Sequence, residues 1–236
     1  DKHSEIFIGP ELYLFNKKEI FDFSQFKSKA SMWLNKGLLD DGQIGQSVFY
    51  FNRKHYITKQ QFLETLKYSN SLKEFFDGFF NIMLERYNKS IWGEKAGSNS
   101  YYMDKILDIY PQARILHIVR DPRDACCSVK KRSGSFYHAA AHWLYNNAAA
   151  IRYQELPNYY RIKYDDLVLN TKQAVKNLCT WLNIEFENNL VDNKPNKYWE
   201  TCADYNMHQS WNVKPSDGIS SKSIGKYKNE LNESHH

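Results

Sequence analysis

The residues with the clearest chemical potential stand around a single arginine. Arg120 directly follows the apolar run Ile115–Val119, and Ser128 comes eight residues later. In open α/β sheets, ligands bind outside the carboxyl ends of the strands. The free amides and the positive dipole end of a following helix favour an anion, and an arginine fork gives directional, charge-assisted bonds to phosphate oxygens. The spacing therefore indicates a clamp for a phosphate group.

A purely structural interpretation of the same residues stays open at this point. Asp121 and Asp124 follow Arg120 closely and offer it carboxylate partners. Ser128 could equally be an ordinary residue on the surface of a helix. Residue chemistry alone does not choose between a phosphate clamp and a local ion pair.

The elements around Arg120 are predicted from periodicity and from caps. Ile115–Val119 is short and almost entirely apolar, as expected of a strand covered on both faces. Asp121 can cap the next helix, and Pro122 suits its first position. Helical spacing precedes the strand over residues 103–110 and follows it over 136–151 and 175–182, the last helix capped by Asn170 or Thr171.

The remaining segments complete a regular alternation. Residues 5–8 are predicted to form a strand that ends at Gly9 and Pro10, and residues 160–163 form another. Two helices are predicted over about 60–88, with a break near 69–71 and with Ser69 or Asn70 capping the second. The last fifty residues are predicted to be mostly irregular. This order is typical of an α/β fold with a parallel sheet.

Composition sets broad limits on the kind of protein. The 236 residues are 42% apolar, which supports a single domain over residues 1–234, with His235 and His236 set aside as a purification-tag remnant. The net charge of +5 fits an anionic ligand and equally a lysine-rich surface. The four cysteines form no C-x-x-C pair, which disfavours zinc and favours a reduced, cytoplasmic setting. No apolar run is long enough to span a bilayer, and no nucleic-acid partner is expected.

Residues 115–128, ILHIVRDPRDACCS, resemble the 3′-phosphate-binding segment of sulfotransferases. In that family a strand ends in Arg-Asp-Pro-Arg-Asp, and a serine follows eight residues after the first arginine. The resemblance implies that Arg120 and Ser128 hold the 3′-phosphate of the nucleotide donor PAPS. It also implies a P-loop-NTPase-like three-layer fold, with a central parallel sheet flanked by helices.

Two further segments carry the residues to which the resemblance assigns chemistry. Residues 92–95, WGEK, look like the family segment whose lysine contacts the transferring sulfate, which assigns Lys95 to the leaving oxygen. Residues 3–11, HSEIFIGPE, resemble the family's "H-P-E-I-x-x-G-x-E", which assigns Glu11 as the general base. Without the resemblance, Lys95 is a solvated lysine, and Glu11 is a surface or helix-terminal glutamate.

Three more residues are assigned to donor binding. Residues 164–167 resemble the family's Y-E-D-L, which places Tyr164 near the adenine, although a core tyrosine with its hydroxyl at the rim fits too. Residues 223–227 resemble the S-x-G-x-W/Y stretch that closes over the nucleotide. Ser210 and Lys226 are then expected at the donor phosphates.

One family element is not seen in the sequence. Sulfotransferases open with a strand and a P-loop-like segment, often P-R-S-G-T-T, shortly before the "H-P-E" strand, whereas this sequence begins two residues before His3. Residues 132–135, RSGS, look similar but follow a helix, so they are rejected as the loop. We expect that the natural protein carries about twenty further residues upstream. The other explanation is a degenerate homologue.

The function implied by the resemblance is in-line transfer of a sulfuryl group from PAPS to an acceptor hydroxyl, leaving PAP and requiring no metal. The acceptor stays open among peptide tyrosine, glycan, lipid and small molecule, and so does homodimerisation, which occurs in parts of the family. Two alternatives are a P-loop-type nucleotide kinase and a non-catalytic nucleotide-binding pseudoenzyme. The kinase needs a G-x-x-x-x-G-K-[ST] loop and a magnesium carboxylate, and the sequence offers neither.

Overall fold

A computed structural model describes residues 2–8, 15, 18–35, 57–192 and 219–231. Two of the predicted site residues, Glu11 and Ser210, lie outside the described residues. The chain divides into two compact units, Asp1–Gln112 and Ala113–His236.

The first unit is built from two short parallel strands and four helices within the described residues. Strands β1 (Ile6–Ile8) and β2 (Ile91–Gly93) pair in parallel, with Ile6 opposite Ile91. The helices are α1 (Phe23–Asn35), α2 (Lys59–Tyr68), α3 (Leu72–Tyr87) and α4 (Met103–Ile109), and short 3-10 turns cover Lys18–Phe21 and Gly97–Tyr102.

Helix α3 supplies the core of this unit. Aromatic and apolar residues recur on it every three or four positions, and five of them are at most 1% exposed: Phe75, Phe76, Phe79, Phe80 and Met83. Full burial of one such side chain stabilises the fold by about 1.5–3 kcal/mol. Rings from three other elements pack onto this helix: Phe26 of α1 and Phe62 of α2 meet Phe75 edge-on, and Trp92 of β2 stacks on Phe80 at 3.9 Å between centroids.

The two helices predicted over 60–88 are present, but the predicted cap between them is wrong. Ser71 begins α3, because its hydroxyl accepts from the amide of Glu74 at 3.1 Å. Ser69 instead ends α2, where its amide and hydroxyl both donate to the carbonyl of Thr65. Asn70 lies between the caps and donates from its amide to the Glu74 carboxylate. Ser69, Asn70 and Ser71 are all residue types that can cap a helix N-terminus. The hydrogen bond from the Glu74 amide to the Ser71 hydroxyl identifies Ser71 as the cap of α3.

The second unit also contains one parallel strand pair among its described residues. Strands β3 (Ile115–Val119) and β4 (Tyr159–Lys163) pair in parallel, with Ile115 opposite Tyr159. Helices α5 (Pro122–Ser133) and α6 (Phe136–Ile151) follow β3, and α7 (Tyr164–Leu169) and α8 (Thr171–Leu182) follow β4. A short helix, α9 (Tyr227–Glu230), lies near the end of the chain. The predicted α/β class with parallel strands is confirmed.

The two faces of β3 differ, contrary to the expectation of a strand covered on both sides. Successive strand residues point to opposite faces. On one face His117 bonds to Asn147 of α6. On the other face Leu116 is 41% and Ile118 50% exposed. Helix α6 therefore covers only the face that carries His117.

Candidate functional site

Arg120 stands where strand β3 gives way to helix α5. Asp121 caps this helix, because its Oδ1 accepts from the amide of Arg123 at 2.8 Å, and Pro122 occupies the first helical position, as predicted. The main chain of Arg120 is held by the Trp143 indole, which donates to its carbonyl at 3.1 Å. The side chain of Arg120 therefore starts from a well-defined point beside a helix N-terminus.

The guanidinium of Arg120 pairs with neither neighbouring aspartate. Asp121 forms its ion pair with Arg123 at 2.8 Å, and the hydrogen bond from the Arg123 side chain lowers the pKa of Asp121. Asp124 is 1% exposed and accepts two backbone amides. The local ion pair that the sequence left open is therefore absent among the described residues.

Two contacts, and one nitrogen unpaired within the described residues, define the surroundings of the Arg120 guanidinium. It sits over the ring of Tyr164 at 5.0 Å from the centroid, and one terminal nitrogen, Nη2, donates to the carbonyl of Ser223. Its Nε is buried and has no hydrogen-bond partner among the described residues. A buried donor without an acceptor is costly, so this nitrogen marks a place where an anionic oxygen would be favoured.

Parallel strand pairing brings Arg120 and Tyr164 together. Arg120 follows the last residue of β3, Val119, and Tyr164 follows the last residue of β4, Lys163. These two terminal residues are register partners, so the residues beyond them emerge at the same edge of the sheet. The sequence predicted both positions, and the structure adds the cation–π contact between them.

The segment near the chain end lies against the same edge. Residues 223–227 contact Arg120 through the Ser223 carbonyl and contact α5 through Asp124. Arg123 also covers the ring of Tyr227, 3.8 Å from its centroid. Lys226 belongs to this segment and is half-buried. Sequence reasoning considered Asp124 only as a partner of Arg120 and missed its contact with this segment.

Ser128 and Lys95 stand apart from these contacts. Ser128 is exposed on α5, and no hydrogen bond joins it to Arg120 within the described residues. Lys95 belongs to the first unit, where it is exposed two residues beyond the end of β2. The roles assigned to both residues stay predictions.

In the part of the chain that the structure describes, no group of three or more His, Cys, Asp or Glu residues is arranged to hold a metal ion. No helix in those ranges has the length and apolar character needed to cross a membrane. Residues 133–135, part of the rejected P-loop candidate, join the end of α5 to the Ser135 cap of α6, so no strand leads into them.

Comparison with known proteins places the chain in a family. The family model described as "Sulfotransferase family" matches residues 1–188, whereas no curated protein matches. The sulfotransferase domain of the Synechococcus PCC 7002 olefin synthase is 16% identical with a TM-score of 0.69, over 98% of this chain and 81% of that one. The sulfotransferase domain from the curacin biosynthetic pathway is also 16% identical, with a TM-score of 0.61, over 98% and 84%.

At 16% identity, similarity to these two structures is evidence for the fold alone. It confirms the P-loop-like α/β fold expected from the sequence. The family model rests on the sequence itself and covers most of the chain, including β1, β2, β3 and Arg120. This chain therefore belongs to the sulfotransferase family.

Proposed function

We propose that this protein transfers a sulfuryl group from PAPS to an acceptor hydroxyl. The observation that carries the proposal is the environment of Arg120. Its guanidinium lies at the carboxyl end of β3, beside the N-terminus of α5, with a buried Nε that no described residue accepts from. In a chain of the sulfotransferase family, this position fits the 3′-phosphate of the donor.

The donor set suits that ligand chemically. A guanidinium presents several N–H donors in a planar fork that matches phosphate oxygens, and the first turn of α5 adds a positive dipole end. The Tyr164 ring, under the guanidinium at 5.0 Å, offers an aromatic surface near which an adenine can pack. Arg120, Tyr164 and Lys226 would hold the nucleotide, with Ser128 and Ser210 as further phosphate contacts.

Two other residues, Glu11 and Lys95, are assigned to the reacting end of the donor. When bound, PAPS supplies an activated sulfuryl group. Glu11 takes the proton from the acceptor hydroxyl, because a neutral hydroxyl is a weak nucleophile. Lys95 places its ammonium at the oxygen that leaves, where negative charge develops. In-line displacement asks the protein mainly to position the two reactants and to stabilise this charge.

The direct test is a transfer assay with radiolabelled PAPS on the full-length protein. We expect turnover in the wild type, and a loss of about 10²–10⁴-fold in kcat for Glu11→Ala, the range typical of positioned acid–base catalysis. Lys95→Ala should lower kcat by about 10²–10³-fold, as for removal of one charge-stabilising donor. The matched controls are Glu64→Ala on α2 and Lys105→Ala on α4, both exposed in the first unit, which should keep wild-type turnover.

Each alternative has its own outcome in this experiment. Wild-type turnover in both the Glu11 and Lys95 variants would show that the two roles are wrong. Stabilisation by ATP with Mg²⁺, and none by PAP, would favour the kinase. Binding of PAP without transfer to any acceptor would favour the pseudoenzyme. The acceptor panel should include tyrosine peptides, glycans, lipid alcohols and hydroxylated biosynthetic intermediates, because both similar structures are domains of biosynthetic proteins.

A further inference from the structure

The carboxylate of Asp124 joins two parts of the second unit that are far apart in sequence. Its Oδ2 accepts from the amide of Gly225 at 2.7 Å and its Oδ1 from the amide of Tyr227 at 2.9 Å, 101 and 103 residues away. Asp124 is only 1% exposed. Both oxygens of a buried carboxylate are thus engaged by residues 223–227, which we call the latch segment.

The chemistry of these two bonds makes the contact selective. Hydrogen bonds to an ionised carboxylate are about twice as strong as neutral ones, and a buried carboxylate without donors is costly. Gly225 has φ +73°, in the left-handed region that glycine adopts without strain. This turn presents the amides of Gly225 and Tyr227 to one carboxylate, so the segment is held by its backbone shape.

Asp124 also determines the position of two groups expected at the donor. The carbonyl that accepts from Arg120 belongs to Ser223, two residues before Gly225. Lys226 lies between the two residues whose amides Asp124 holds. Fixing these amides therefore fixes the carbonyl that orients the Arg120 guanidinium and the backbone on both sides of Lys226.

We infer that Asp124 is a positioning residue for the anion site at Arg120, and that its contact with the latch segment and binding of the donor's 3′-phosphate favour one another. The inference rests on the proposed function. A ligand held by both Arg120 and Lys226 stabilises the latch segment in the position that Asp124 gives it, and by thermodynamic reciprocity this position raises affinity for the ligand.

The experiment measures PAP binding by calorimetry, and amide exchange of the latch segment, in the full-length protein. Asp124→Asn keeps the size of the side chain but turns one acceptor into a donor that faces an amide. We expect its Kd for PAP to rise about tenfold or more, the effect of losing one strong hydrogen bond. The amides of Gly225 and Tyr227 should exchange faster in this variant, and PAP should slow their exchange in the wild type. The KM for PAPS should change more than kcat.

A second variant guards against loss of the fold in Asp124→Asn. In Gly225→Ala the added Cβ meets no atom within 4 Å, so the change acts through the left-handed backbone alone. We expect weaker PAP binding, by roughly two- to tenfold, and faster exchange of the latch segment. Gly134→Ala is the matched control, because Gly134 has φ +72°, its Cβ site is equally open, and it ends α5 away from the latch segment.

A further control tests whether PAP binding depends on the Asp124 contact in particular or on any contact between α5 and the C-terminal residues. Glu230→Gln removes the ion pair with Lys131, a side-chain contact at 2.8 Å that joins α9 to α5 and does not involve the Asp124 carboxylate. Glu230→Gln and Gly134→Ala should both bind PAP within twofold of the wild type. If Asp124→Asn and Gly225→Ala also bind PAP like the wild type, the inference is wrong and the proposed donor stands. If the wild type does not bind PAP, the proposed function fails and takes the inference with it.

Discussion

The contacts of Arg120 divide its guanidinium into committed and uncommitted donors. One terminal nitrogen donates to the Ser223 carbonyl, and the planar face lies over the Tyr164 ring. The buried Nε has no acceptor among the described residues. A flat, forked cation is needed to make all of these contacts at once, and a lysine ammonium has neither the plane nor the fork.

This geometry predicts that Arg120→Lys keeps the positive charge but loses affinity. A lysine cannot combine the Tyr164 face, the Ser223 carbonyl and a directional bond to phosphate. We expect the Kd for PAP to rise about 10- to 100-fold, which corresponds to about 1.4–2.7 kcal/mol. Calorimetric titration of PAP into both proteins measures the change.

Arg114→Lys provides the matched control at the opposite end of β3. Arg114 makes the same two kinds of contact, over the Trp181 ring at 5.9 Å and to the Trp181 carbonyl at 2.8 Å. We expect its PAP affinity to stay within twofold of the wild type. Equal losses in the two variants would mean that PAP responds to total charge and not to a site at Arg120.

Residue-level prediction succeeded where local rules apply. Arg120 and Tyr164 each follow a recognisable strand, and the carboxyl ends of parallel strands share an edge, so their proximity follows from the sequence. The role of Asp124 does not, because its partners are two backbone amides more than a hundred residues away. Nearly every residue type carries the same backbone amide, so the side-chain pattern of a sequence cannot predict which amides a carboxylate will bind.

At the scale of elements, His117 ties three of them together. Its Nδ1 meets the hydroxyl of Tyr159 on β4, and its Nε2 meets the Oδ1 of Asn147 on α6 at 3.1 Å. The amide nitrogen of Asn147 donates to the Trp143 carbonyl, which leaves its oxygen as the acceptor for Nε2–H. A neutral imidazole satisfies both neighbours, with Nδ1 accepting from the tyrosine.

The protonation of His117 predicts how stability depends on pH. Burial lowers the pKa of His117 below its usual value of 6.5, and the nearby charge of Arg161 lowers it further. The unfolded chain then binds more protons than the folded one, so the free energy of unfolding falls as pH drops below about 6.5 and levels off below the folded pKa. His117→Gln should flatten this slope by less than about 1.4 kcal/mol per pH unit, the limit for one proton.

Urea unfolding between pH 5 and pH 8 measures the slope. His138→Gln is the control, since His138 is an exposed histidine on α6, the helix whose Asn147 bonds to His117, and it should leave the slope unchanged. The explanation is wrong if His117→Gln keeps the full wild-type slope.

Helix boundaries were predicted well where a capping residue or a proline marks them. The Asp121–Pro122 start of α5 and the end of α4 before Pro111 follow from cap and proline chemistry. Strand β2 was missed because three residues are too few to show a period of two. Its place is set by pairing with β1 and by the stacking of Trp92 on Phe80, and both are tertiary contacts.

At the scale of the whole molecule, stability and the candidate anion site draw on different residues. An aromatic core surrounds α3 in the first unit, where Phe76 is fully buried and meets the ring of Phe15 at 5.1 Å between centroids. Arg120 and its contacts to Tyr164 and Ser223 all lie in the second unit. This separation allows stability and ligand binding to be changed one at a time.

We predict that one variant lowers the Tm without changing the rise in Tm caused by PAP, and that a second variant does the opposite. Phe76→Leu removes core packing, which should cost about 1–2 kcal/mol and lower Tm by roughly 2–8 °C for a chain of this size. The rise in Tm caused by PAP should remain, because that rise depends on ligand concentration relative to Kd. Arg120→Ala should do the reverse, with a Tm near that of the wild type and little or no rise with PAP. Loss of the PAP effect in Phe76→Leu would show that the core around α3 and the anion site are not separable.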